Sequence, residues 1–131
     1  MPGFMTTILM VDDDPLQASL RKTILERKYQ DVVRVSDPAE ALCLIEQPQF
    51  CARLGLVVSA LHMPGMSGPA FVTEMQERLP RLPILVLGGK HKLAADYEGG
   101  WVWFLPQPIA NSDLLTAADE LMMQYSWKSA S

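Results

Sequence analysis

Five short apolar runs, Thr7 to Val11, Val32 to Val35, Leu54 to Ser59, Pro83 to Leu87 and Trp101 to Leu105, alternate with longer segments of helical period. Runs that are apolar throughout suit strands buried on both faces, and such strands are joined by helices that cross over the sheet. The chain is therefore expected to be an α/β protein built from five β/α repeats around one parallel sheet.

Helix signals sit between the runs. Asp12-Asp13-Asp14-Pro15 stops the first strand, with Asp14 as N-cap and Pro15 at the first helical position, and Leu16, Leu20 and Ile24 then repeat at helical spacing. Asp37-Pro38 starts a second helix with an inner stripe of Ala41, Leu42 and Ile45, and Gln47 to Arg53 reads as the loop into strand three. A third helix carries Phe71, Met75 and Leu79 on one side and closes at Pro80. Lys90 to Asp96 is a short fourth helix ended by Gly99-Gly100, and Ser112 to Tyr125 is a fifth, with Leu115, Ala118 and Met122 facing inward. The expected sheet is doubly wound and flavodoxin-like, order 2-1-3-4-5, with a single domain spanning residues 1–131.

Composition narrows the partners. The apolar fraction of 49% is ample for one buried core, and a net charge of -4 gives no basic stripe for nucleic acid or an anionic membrane. Cys43 and Cys51 are the only cysteines, too few for a thiolate metal site, and read as reduced thiols of a cytoplasmic protein. No stretch reaches the ~20 apolar residues of a membrane span.

In an open parallel sheet the functional crevice lies beyond the carboxyl ends of the strands. Those ends carry Asp12-Asp13-Asp14, Ser59-Ala60, Gly88-Gly89 and Pro106-Gln107-Pro108. The stretches Ile8 to Asp13, Leu61-His62-Met63-Pro64-Gly65 and Gln107-Pro108, in that order, resemble the strand-one acidic pair, the loop after strand three and the Lys-Pro of two-component receiver domains. The resemblance covers essentially the whole chain and implies a signalling module that accepts a phosphoryl group on an aspartate. That reaction also needs a divalent cation held by carboxylates, and a hydroxyl and an ammonium group on the phosphoryl oxygens.

Measured against that family, the chain keeps one requirement of four. The acceptor position is Ala60, the hydroxyl position Gly88 and the lysine position Gln107, which leaves the acidic pair Asp12 and Asp13. A methyl group accepts no phosphoryl. Hard divalent ions want about six oxygens, so Asp12 and Asp13 are expected to bind Mg²⁺ weakly if at all, and no other cofactor is implied. Ser59 neighbours the lost acceptor but shows no base, and Lys90, His91 and Lys92 read either as replacement counter-charges or, more simply, as a solvated helix start. Phe104 matches the aromatic that swings with phosphorylation in the family; without a hydroxyl at Gly88 it is expected to keep one rotamer.

The expected function is a phosphorylation-independent pseudo-receiver, not an enzyme, serving as a protein-interaction or dimerisation module in bacterial two-component signalling. Its partners would be signalling proteins, an attached output domain or a second copy. The expected face combines the fourth helix with the strand Trp101 to Leu105 and the last helix, where Trp101, Trp103 and Phe104 crowd an edge. Two alternatives stay open: a phospho-accepting regulator with a non-standard acceptor, and a flavodoxin-like domain whose vacated crevice holds a small molecule.

Overall fold

The computed structural model describes residues 6–63, 65–88, 102–106 and 109–124. In chain order the elements are β1 (Thr7–Val11), α1 (Pro15–Leu25), β2 (Asp31–Val35), α2 (Pro38–Ile45), α3 (Pro48–Arg53), β3 (Leu54–Ala60), β4 (His62–Met63), β5 (Met66–Ser67), α4 (Gly68–Arg78), β6 (Ile84–Leu87), β7 (Val102–Leu105) and α5 (Asn111–Gln124). The main sheet is parallel, in the order β2-β1-β3-β6-β7. With β4 and β5 set aside, because they pair only with each other, this is the expected 2-1-3-4-5 order of a doubly wound sheet. The fourth helix expected over Lys90 to Asp96, together with Trp101, Gln107 and Pro108, lies outside the described residues.

Two apolar layers flank the sheet, as the period-2 geometry of strands requires. On one side Leu9, Val11, Val57, Ile84 and Val86 pack with Ala41, Ile45, Phe50, Phe71 and Met75 of α2, α3 and α4. On the other, Ile8, Met10, Val58, Leu85 and Leu87 pack with Ala18 and Leu25 of α1 and Leu114, Ala118 and Leu121 of α5. Phe71 is fully buried, so truncating it to alanine would cost about 3 to 5 kcal/mol. The β1–β3 register shifts between Thr7 and Ile8, which leaves Gly55 without a β1 partner and puts Leu54 on the same side as Val57.

Caps set the helix starts. The Asp14 side chain accepts from the N–H groups of Leu16 and Gln17, and that of Asp37 accepts from Ala39, each directly before a proline at the helix entrance. Gly68 opens α4 hard against the chain: a Cβ there would lie 2.5 Å from the carbonyl oxygen of Leu61, whose own partner is the Gly68 N–H.

Three sequence expectations change. Residues 48–53 are not loop but the helix α3, because Pro48 pre-sets the first turn and Phe50 anchors it in the core. In α1, the row Leu16, Leu20 and Ile24 that marks the helix in the sequence packs only at Ile24: Leu16 and Leu20 are 72% and 62% exposed, whereas Ala18 and Leu25 join Ile24 in the core. In α5 the inward stripe is Leu114, Ala117, Ala118 and Leu121; Leu115 and Met122 only flank it. A 3.6-residue period fits both rows of an amphipathic helix, and only packing chooses between them.

Candidate functional site at the carboxyl ends of the strands

Backbone hydrogen bonds carry the ladder past the ends of the strands and fix the crevice residues. The Asp12 N–H donates to the Val35 carbonyl at 3.1 Å, the Leu61 N–H to the Leu87 carbonyl at 3.0 Å, and the Gly88 N–H to the Leu105 carbonyl at 3.0 Å. Asp12, the β3 terminus and Gly88 are thereby brought to one edge, as expected of an open parallel sheet.

Asp12 is buried and Asp13 beside it is exposed. One Asp12 carboxylate oxygen, Oδ1, accepts the Asp14 N–H at 3.0 Å. The other, Oδ2, faces Nη1 of Arg21 at 3.5 Å, and these side chains are only 4% and 12% exposed. Arg34 reaches across from β2 to the same residue, its Nε and Nη2 donating to the Asp12 carbonyl oxygen at 3.1 and 2.7 Å. Burial pushes the Asp12 carboxyl above its ordinary range and the neighbouring charges of Asp13 and Asp14 push the same way, while the Asp14 N–H and the Arg21 guanidinium oppose them. Arg21 is held below its ordinary value, again first by burial. The pair is thus a desolvated one in which each charge is tolerated because of the other.

Ala60 ends β3 and is buried, packed with the apolar layer of α2 and α4. The hydroxyl of Ser59 is also buried and donates to the carbonyl of Ala60 at 2.9 Å. Its proton is committed to the backbone, and no base appears among its described partners. Gly88 has φ of +113°, a conformation that residues with a Cβ rarely adopt. Phe104 is half-buried against the layer that holds Ala60, and Trp103 points to the opposite layer, with α5, so each aromatic of β7 contributes to a core.

Both Asp12 oxygens already have protein partners, the β3 terminus supplies a methyl group, and no group of three or more His, Cys, Asp or Glu side chains among the described residues could hold a metal. Hard cations need several free oxygens. The sequence missed both Arg21 and Arg34. Arg21 does leave a trace, since it stands three residues after Ala18 and three before Ile24, in the row that packs inward. The replacement counter-charges considered at Lys90, His91 and Lys92 lie outside the described residues.

Comparison with known proteins agrees with this architecture. Residues 8–119 match the profile of the response regulator receiver domain. Over 120 residues the chain is 29% identical to the transcriptional regulatory protein GlrR of Escherichia coli strain K12, covering 89% of this chain and 26% of that protein. It is 27% identical over 128 residues to the sensor kinase CckA of Brucella abortus, covering 93% of this chain and 13% of that protein. The chain thus spans 13 to 26% of those relatives' lengths. A crystal structure of a response regulator receiver domain protein from Clostridium thermocellum superposes with a TM-score of 0.80 at 23% identity, covering 92% of this chain and 97% of that one. No described helix is long and apolar enough to cross a membrane. With its sheet order, its carboxyl-end crevice and the match over most of its length, this chain belongs to the response regulator receiver domain family.

Proposed function

We propose that this domain is a pseudo-receiver: a receiver-fold module that works in two-component signalling by protein interaction, without being phosphorylated. Receiver domains are signalling modules that partner with kinases and output domains and commonly bind Mg²⁺ at the phosphorylation site. The observation that carries the reading is the end of β3, where Ala60 offers a methyl group and the hydroxyl of its neighbour Ser59 is buried and bonded to the backbone. Phosphoryl transfer requires a nucleophile that can reach phosphorus in line, with cations and donors around the equatorial oxygens. Gly88 brings no hydroxyl, Gln107 no charge, and Asp12 and Asp13 no complete cation site.

Residues 1–131 form one receiver-like domain in this reading, cytoplasmic and without enzymatic activity of its own. The partner is a signalling protein, an output domain or a second copy of the chain. The names of the relatives support this range, since receiver modules occur in a transcriptional regulatory protein and in a sensor kinase. The proposed contact face includes β7, the edge strand of the sheet among the described residues, with α5; the fourth helix expected to complete it lies outside the described residues. An edge strand left uncovered invites pairing.

Beryllofluoride with Mg²⁺ tests the reading, because the anion is retained only where a carboxylate bonds to beryllium. Amide NMR signals of Asp13, Ala60 and Gly88 should stay in place; saturable shifts at these residues would restore the phospho-receiver reading.

A further inference from the structure

The crevice carries its own cation. Arg21 lies on the inward row of α1, between the buried Ala18 and Ile24, while the large apolar residues Leu16 and Leu20 of the same helix point to solvent. Placing a guanidinium inside and two leucines outside inverts ordinary patterning, and it is tolerable only if the charge meets a counter-charge. That counter-charge is Asp12 Oδ2, 3.5 Å from Nη1 of Arg21. Arg34 holds the backbone of the same residue and the Asp14 N–H takes the remaining carboxylate oxygen, so Asp12 is held on every polar atom of its acceptor side.

We propose that Arg21 is the resident counter-cation of the crevice: it takes the place on Asp12 that a divalent ion would need, and holds the loop between β1 and α1 in one state without metal. A divalent ion could coordinate Asp12 only by displacing Arg21, which would then stand beside a second positive centre. A lysine could lose its proton to make way. An arginine stays charged in proteins and cannot. Ala60 supplies no third carboxylate to offset the repulsion. The inference concerns Arg21 and is separate from the missing acceptor at Ala60, so either can fail alone.

The test compares three full-length proteins: the unaltered chain, Ala60→Asp, and Ala60→Asp combined with Arg21→Met. Mn²⁺ binding is followed by paramagnetic broadening of amide signals around Asp12 and Asp13, and Mg²⁺ binding by calorimetry. The unaltered chain should show no saturable site through the millimolar range, and the double variant should bind at least about tenfold more tightly than Ala60→Asp, a difference of about 1.4 kcal/mol. Equal affinity in the two variants, or a saturable site at Asp12 in the unaltered chain, overturns the proposal. Should the double variant fail to fold, the Arg21 Nε–H signal of the unaltered protein decides under Mg²⁺ titration: a constant shift supports the resident cation, and a saturable displacement together with Asp13 refutes it.

Discussion

The N–H of Gly88 donates to the carbonyl of Leu105 at 3.0 Å, and Gly88 makes this bond with φ of +113°. Gly88, the residue expected at the hydroxyl position from the family resemblance, is therefore committed to a backbone conformation that a side chain disfavours.

Gly88→Thr should accordingly destabilise the domain by about 1 to 3 kcal/mol, the range for a β-branched residue held at positive φ. Urea unfolding checks it; an unchanged midpoint would mean that the loop relaxes without strain. The same strain limits any repair of the site, so adding Gly88→Thr to Ala60→Asp and Gln107→Lys should not raise phosphorylation beyond what the double change achieves.

Arg21→Met should cost roughly 3 kcal/mol at neutral pH, because it leaves the buried Asp12 carboxylate without its cation. The penalty has a predictable pH dependence. Asp12 titrates above its ordinary value of 3.8 in the fold, so its ionised form weakens the fold increasingly as pH rises through the folded pKa, and the effect disappears below the unfolded value. Removing Arg21 takes away an interaction that lowers this pKa, which enlarges the effect. Denaturant titrations at pH 7 and pH 4 should therefore show the variant approaching the unaltered protein on acidification. A constant difference would place the role of Arg21 in packing alone.

Tyr29 Oη donates to Asp119 at 3.1 Å, and Lys28 pairs with the other oxygen of that carboxylate at 2.9 Å, tying the end of α1 to α5. Burial, helped by the Asp119 charge, raises the Tyr29 pKa well above its ordinary 10.0, so stability is lost as pH climbs past 10 and the fold resists forming tyrosinate. Tyr29→Phe should cost about 1 kcal/mol at pH 7 and flatten the alkaline limb of the stability profile. An alkaline limb identical to that of the unaltered protein would assign the loss to another group.

The fold was legible because most strands are short, largely apolar runs, α1 and α2 open with Asp-Pro and α4 stops just before Pro80, signals that need no tertiary context. What escaped depends on packing. Leu16 and Leu20 advertise α1 yet face solvent, and Arg21 looks like a surface residue yet faces Asp12. The segment Gln47 to Arg53 is short and its N-cap position lacks a side-chain hydrogen bond, so the helix α3 rests on Pro48 and the buried Phe50. In the site, Ala60 and Gly88 could be placed by strand order alone, whereas the positive φ of Gly88 and the two arginines on Asp12 emerge only when β2 and α1 are folded around β1.

The proposed contact face can be set against the exposed leucines of α1. Substituting Tyr97 and Gln107 should weaken self-association or partner capture, measured by sedimentation and pull-down with the whole natural gene product, while Leu16→Glu and Leu20→Glu should not. The reverse pattern would move the interface to the exposed leucines of α1.

The absence of phosphoryl acceptance is tested most directly by intact-mass spectrometry of the unaltered protein after incubation with acetyl phosphate and Mg²⁺. With Ala60 at the end of β3 and the Ser59 hydroxyl bonded to the backbone, the expected spectrum is that of the unmodified chain at every time point. A species heavier by one phosphoryl group, labile to hydroxylamine as an acyl phosphate is, would contradict it.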